Sequence, residues 1–251
     1  MTILSNQIGA TVILQLNRPR ANAINSKMVS DLSEALEECA KNPSVKGVIL
    51  TGLPGMFSGG LDVIDLYPRD REYMLRFWKD FTNLLMQLFN YPKLLFSAIS
   101  GHSPAGGTVL AIMTDYRIMA DGDYNIGLNE VAVGLILPHS IGQVYQYLLG
   151  NRQAEKLALT GALLFPRDAM KYGLVDEVCD PDQLESRCLK RMECWQKLPA
   201  FQQISTKLQM RSHVSEKMKE SIKADVDKMV DIWFEPNFRE VMGALVKKLT
   251  S

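Results

Sequence analysis

Apolar residues in the first half of this chain fall into two alternating patterns. Short unbroken blocks, Thr11–Leu16, Gly47–Thr51 and Leu94–Ile99, are too brief for helices and rich in aliphatic side chains, so they read as buried strands. Pro19, in Asn17-Arg18-Pro19-Arg20, closes the first block to further ladder pairing. Between the blocks the period changes to that of a helix. Asn25 or Ser26 can cap a helix that carries Met28, Val29, Leu32, Leu36 and Ala40 on one face. Residues 70–90 place Leu75, Phe77, Trp78, Phe81, Leu84, Leu85 and Leu88 among charged side chains, which predicts a long amphipathic helix ended by Asn90-Tyr91-Pro92. Residues 108–114 read as a short, fully buried helix. From Asn151 onward the pattern is helical, interrupted at Gly161, Gly173 and Pro181, and beyond Pro199 it offers no strand. Strands alternating with helices predict an α/β core, residues 1–198, followed by a helical segment, residues 199–251, that covers the core or packs against another subunit.

Two of the strands run straight into glycine pairs, Phe57-Ser58-Gly59-Gly60-Leu61-Asp62 and Pro104-Ala105-Gly106-Gly107. A residue without a side chain lets a backbone N–H approach a ligand oxygen, and the second pair also opens a helix, whose first N–H groups lack internal partners. A third segment, residues 124–137, sets Glu130 among Ile126, Leu128, Val131, Val133, Leu135, Ile136 and Leu137 with no second acid in the run. Burial there would raise the carboxyl pKa and suit it to proton transfer; a Glu on an edge strand facing water is the competing reading. One base and two backbone donors fit chemistry in which a proton is removed beside a carbonyl whose oxygen becomes negative.

The charge balance narrows the partners. With 28 basic and 28 acidic residues in 251, the chain offers no overall field for duplex nucleic acid or an anionic membrane, and no apolar stretch reaches membrane-spanning length. Cys39, Cys179, Cys188 and Cys194 form no C-x-x-C pair and His102, His139 and His213 are scattered, so no metal site is expected and the four thiols are expected buried and reduced. Neither glycine turn matches a P-loop or Rossmann fingerprint, and G-x-S-x-G is absent. His102 beside Ser103 is a poor nucleophile pair, because adjacent side chains in a turn seldom converge. Asp115 reads as a linker between helix and strand, and Arg18, Arg20 and Lys27 as surface charges within reach of a phosphate. The N-terminus lacks a secretory or transit pattern and the C-terminus is not S-K-L, so the chain reads as cytoplasmic, or as a mitochondrial matrix protein whose leader has been removed.

Taken in order, Asn17-Arg18-Pro19 with Asn22-Ala23, the strand 47–51, the two glycine turns, Asp115-Tyr116-Arg117-Ile118, Gly127-Leu128-Asn129-Glu130 and Gly173-Leu174-Val175-Asp176 resemble the crotonase (enoyl-CoA hydratase/isomerase) superfamily, above all its Δ3,Δ2-enoyl-CoA isomerase branch. The resemblance runs from about residue 10 to 180. It implies a spiral of repeated ββα units with a helical C-terminal region, assembled as a homotrimer or hexamer. It implies further that the N–H groups of Leu61 and Gly106 bind a thioester oxygen, that Glu130 is the base, and that Arg20, Ala21, Ala23, Gly60, Asp62, Val63 and Asn129 line the acyl-CoA site. No cofactor is implied beyond the coenzyme A of the substrate. Hydratases of the superfamily carry a second glutamate shortly after the second glycine turn; here Val109 stands there, which points away from hydration and toward isomerisation. Gly59 occupies a place where Ala is common. Another one-carboxylate reaction, thioester hydrolysis or a CoA lyase, and a non-catalytic CoA-binding scaffold are the competing functions.

Overall fold

A computed structural model describes residues 1–250. Strands β1 (Ile3–Ile8), β2 (Thr11–Leu16) and β3 (Gly47–Thr51) surround helix α1 (Ser26–Lys41) in sequence; β4 (Gly55–Met56), α2 (Val63–Leu66), α3 (Arg71–Phe89), β5 (Leu94–Ile99), β6 (Gly101–Pro104), α4 (Gly106–Ile112), β7 (Tyr116–Ala120) and β8 (Ile126–Gly127) follow. A 3₁₀ turn, Glu130–Val133, leads to α5 (His139–Leu149), α6 (Asn151–Thr160), α7 (Pro166–Lys171), β9 (Glu177–Cys179), α8 (Leu184–Gln196), α9 (Ala200–Trp233) and α10 (Pro236–Thr250). Six strands form one sheet in the order β1-β2-β3-β5-β7-β9, antiparallel at β1/β2 and parallel elsewhere, and β4-β6-β8 form a second, small parallel sheet. From β3 to β8 each turn of the chain therefore gives one strand to each sheet and then helix, whereas β1 and β2 both belong to the large sheet.

The unbroken apolar blocks are explained by burial on both faces, as expected for parallel strands. Val12, Leu14, Leu16, Val48, Leu50, Leu95 and Ile99 face α1, α3 and α4, whereas Ile13, Ile49, Phe96, Ala98 and Ile118 face Leu184, Cys188 and Met192 of α8. Helix α1 starts where its cap predicts, the Asn25 side chain accepting from Met28 N–H at 3.1 Å, and α3 starts at Asp70, which accepts from Tyr73 N–H at 2.8 Å. In α3 the inward residue is Met74 and Leu75 is exposed.

Several expectations are corrected. β1 was not anticipated, because it is an edge strand with polar residues and Ile3 as its one buried side chain. β9 lies within the stretch read as helical and pairs with β7 through Ile118, Met119 and Ala120; three residues carry too little periodicity to be seen in sequence. The helix read at residues 108–114 begins at Gly106 and ends at Ile112. Cys39 and Cys188 are buried, Cys179 is half-buried and Cys194 is exposed. Asp115 is more than a linker: its side chain, buried, accepts from Leu95 N–H at 2.8 Å and meets Lys207 and Arg211, so it anchors α9 to the sheet. Burial pulls the Lys207 amine below its ordinary pKa, with Asp115 opposing.

Candidate active site

The first glycine turn is held by the segment 20–24. Gly59 N–H donates to Ala21 C=O (2.8 Å), Ile24 N–H to Gly60 C=O (2.7 Å) and Asp62 N–H to Ile24 C=O (2.8 Å). In that pairing Leu61 turns its own N–H to the opposite side. Asn22, at positive φ, ties the segment down from below: its amide donates to Phe57 C=O (3.0 Å) and its own C=O accepts from Ser58 Oγ (2.8 Å). Gly60 has φ +86°, and a Cβ there would meet the Gly106 nitrogen at 3.2 Å; a Cβ on Gly106 would meet Gly60 Cα and Ile24 Cδ1, each at 3.1 Å. The two glycine turns thus pack back to back, which brings Leu61 and the first residue of α4 together.

Thr108 couples the second turn to Glu130. Its hydroxyl donates its one proton to the Ser103 carbonyl and accepts from Gly127 N–H at 2.8 Å, while Ala105 N–H donates to Gly127 C=O at 2.9 Å. β8 is thereby pinned beside β6, and the chain leaves it straight into Asn129 and Glu130. Gly134, at φ +81°, closes the 3₁₀ turn, and Leu135 N–H donates to Glu130 C=O at 2.9 Å.

Leu61, Ala105, Gly106, Val109, Asn129 and Glu130 border a cavity of about 270 Å³, otherwise walled by apolar side chains including Trp78, Phe81, Met229, Trp233, Met242 and Leu245. Trp78 and Trp233 meet edge to face, with centroids 6.4 Å apart. Among the described residues Glu130 is the one ionisable group in that lining, and it is 7% exposed. Its Oε2 is buried without a partner, and burial raises its pKa to about 7. Water-facing placement of Glu130 is excluded. Val109, on α4, adds a hydrocarbon side chain to the same lining.

An outer groove adjoins this cavity and shares Gly59, Leu61, Val63 and Leu249 with it; Arg20, Ala21, Ala23 and Asp62 line the rest, beside Ile64 and Thr250. Of the ten sequence-predicted site residues, Gly60 lies behind the lining, as a packing residue of the turn. Asp62 borders the groove, but its carboxylate is taken up by Arg18 and by Asp65 N–H. A Cβ at Gly59 would lie 3.2 Å from Ala21 Cβ. Lys27 pairs with Asp31. His102 is not aimed at Ser103, since its Nδ1 accepts from Asn125 N–H at 3.1 Å. Met229, Trp233, Met242 and Leu245 escaped the reading of the sequence; their helical spacing was visible, but nothing in it told a cavity wall from a core face.

A spiral of strand–strand–helix turns, with two apposed glycine turns and one buried carboxylate at an apolar cavity, defines a protein of the crotonase type. Residues 7–250 match the enoyl-CoA hydratase/isomerase family model, and the chain belongs to that family. It is 33% identical over 239 residues to mitochondrial enoyl-CoA delta isomerase 1 of Mus musculus, covering 94% of this chain and 83% of the mouse protein, and 31% identical to the Homo sapiens protein of the same name, covering 94% and 79%. The crystal structure of human mitochondrial Δ3,Δ2-enoyl-CoA isomerase superposes with a TM-score of 0.96 at 30% identity, over 100% of this chain and 98% of that one.

Proposed function

We propose that this protein is a Δ3,Δ2-enoyl-CoA isomerase of fatty-acid β-oxidation, converting 3-enoyl-CoA to trans-2-enoyl-CoA. The observation that carries this reading is the carboxylate of Glu130 in an apolar cavity whose lining, among the described residues, includes no second acid and has Val109 on α4. The Glu130 carboxylate takes a proton from C2 of the 3-enoyl thioester, the C2–H electron pair moves into a dienolate, and the same group returns the proton at C4 as the double bond shifts to C2–C3. The N–H groups of Leu61 and Gly106 hold the thioester oxygen, and a desolvated site strengthens both donors while charge develops there. A carboxyl with a pKa near 7 suits both halves of the shuttle. Arg20, Ala21, Ala23 and Val63 line the path of the CoA moiety, and Asn129 borders the reacting carbons. Coenzyme A enters as part of the substrate, and the shuttle calls on no other cofactor.

Helices α9 and α10 close the acyl cavity with Met229, Trp233, Met242 and Leu245, which supports a covering role for residues 199–251. Exposed apolar side chains at Leu198, Phe201 and Met210 support assembly as a trimer or hexamer. The mitochondrial relatives support a place in the mitochondrial matrix. Product analysis after mixing the protein separately with 3-hexenoyl-CoA and trans-2-hexenoyl-CoA tests the reaction. Interconversion of the two without 3-hydroxyacyl-CoA is expected; free CoA or a hydroxyacyl product as the main outcome would replace isomerisation by hydrolysis or hydration.

A further inference from the structure

Tyr67 and Arg239, 172 positions apart, clamp α10 to the first glycine turn. Tyr67 follows directly on α2, and that short helix starts from the turn itself, with Leu66 N–H donating to Asp62 C=O at 2.8 Å. Arg239 stands in the first turn of α10. The contact is reciprocal. The Tyr67 hydroxyl donates to Arg239 C=O at 3.1 Å, and the Arg239 guanidinium donates to Tyr67 C=O at 2.6 Å while its central carbon lies 3.6 Å from the middle of the Tyr67 ring. A glycine inside a helix costs stability, yet α10 carries Gly243. A Cβ there would meet the Tyr67 hydroxyl oxygen at 2.8 Å and Cζ at 3.4 Å, so the missing side chain is the seat of the ring. On another side, Phe238 packs against Trp233 with ring centroids 5.2 Å apart.

Beyond the clamp, α10 turns one face to the acyl cavity. Met242, Leu245 and Leu249, spaced by three and four positions, all line it; Met242 is buried, and Leu249 also borders the outer groove. This stripe covers about 10 Å of helix axis, from the interior of the cavity to the passage between cavity and groove. Neither Tyr67 nor Arg239 is part of that lining. We infer that Tyr67 and Arg239, seated on Gly243, are positioning residues for acyl-chain recognition: they hold α10 so that Met242, Leu245 and Leu249 bear on the chain of a 3-enoyl-CoA, and discrimination between chain lengths depends on them. An aliphatic chain offers only apolar surface, so its recognition is a matter of how closely this wall stands. A wall on a helix that can shift loses contact with a long chain more than with a short one. The inference rests on the cavity being the acyl site of the proposed isomerase.

Arg239→Ala removes the guanidinium and leaves the cavity lining untouched. With 3-hexenoyl-CoA and 3-decenoyl-CoA as substrates, KM for the longer chain should rise at least about fourfold more than KM for the shorter, the worth of about one buried methylene. On 3-hexenoyl-CoA kcat should stay within about threefold of wild type. A merely structural role would lower kcat on both substrates alike through a smaller folded fraction and leave the ratio of the two KM values in place. That result, or no change at all, overturns the inference. Gly243→Ala gives a second reading and decides alone should Arg239→Ala lose its fold. Alanine favours the helix, so by local propensity the variant is neutral or more stable; its Cβ displaces the Tyr67 ring, so the same selective rise in KM for the decenoyl substrate is expected. Unchanged KM values for both chains in that variant overturn the inference. Calorimetric Kd values for saturated hexanoyl-CoA and decanoyl-CoA separate the two layers, because they need no turnover. If wild type isomerises neither 3-enoyl-CoA yet the variants lose decanoyl-CoA affinity selectively, the isomerase reading falls and the clamp stands; if wild type isomerises both and the variants match it on both chains, the clamp alone falls.

Discussion

Glu130 combines two costs that point in opposite directions for stability and for function. Its folded pKa, about 7, lies above its ordinary value of 4.5, so between those two pH values the native state binds a proton that the unfolded chain has released. Stability contributed by the neutral acid is complete below about 4.5 and is lost as pH rises through 7. Glu130→Gln should therefore raise unfolding stability at pH 8 by up to about 3 kcal/mol and leave it nearly unchanged at pH 4.5, as thermal denaturation at the two pH values would register. The same substitution removes the proposed base, and isomerase turnover is expected to fall by about a hundredfold or more with substrate binding little changed. Wild-type activity should itself decline as pH drops through about 7. At Gly106 the margin is steric. Gly106→Val adds branches beyond a Cβ already 3.1 Å from Gly60 Cα, so the N–H should shift away from the thioester oxygen; about a hundredfold loss of turnover in a protein with native circular dichroism is the expected result, and near-normal turnover would reduce the second glycine turn to packing.

Helix α5 shows how one element depends on another. It starts at Pro138 with no side-chain cap of its own, and its first free N–H groups, those of His139 and Ser140, donate instead to the two oxygens of Asp225 on α9, at 2.9 and 2.7 Å. Since Pro138 and Ile141 line the cavity, this borrowed cap also sets one wall of the site. Asp225→Ala should destabilise the protein by about 2 kcal/mol, a fall in Tm of roughly 4 to 8 °C for a chain of this size, which scanning calorimetry would detect. Helix α4 makes a second point. Its Val109 faces the cavity, so water addition to trans-2-hexenoyl-CoA should run at least about a hundredfold slower than isomerisation of the 3-enoyl thioester. Comparable rates would show that one carboxylate suffices for hydration here.

At the scale of the molecule, the large sheet is covered on both faces and the small sheet leads into the two glycine turns and Glu130, so the cavity stands on strand ends while α9 and α10 close it from outside. Phe201, near the start of α9, is 78% exposed, and with Leu198 and Met210 it leaves more apolar surface than an isolated helix end favours. Light scattering at micromolar concentration should accordingly report a trimer or hexamer; a monomer would refute that assembly.

The sequence by itself determined the parts that rest on local patterning: three buried strands, the cap of α1, the two glycine turns and the lone acid at Glu130 are each set by residues within a few positions of one another, where period and turn chemistry act directly. The order of its motifs likewise carried the family. It left open whether Glu130 meets water or hydrocarbon, and it hid β1, β9, the anchoring of α9 by Asp115 and the capping of α5 by Asp225. β1 was hidden by its polar edge, and the others are contacts between residues far apart in the chain: His139 and Asp225 are separated by 86 positions, Asp115 and Lys207 by 92. Burial and pairing at such distances depend on which surfaces the fold brings together. The raised pKa of Glu130, and with it the chemistry, follows from that closure and from no residue next to it in the chain.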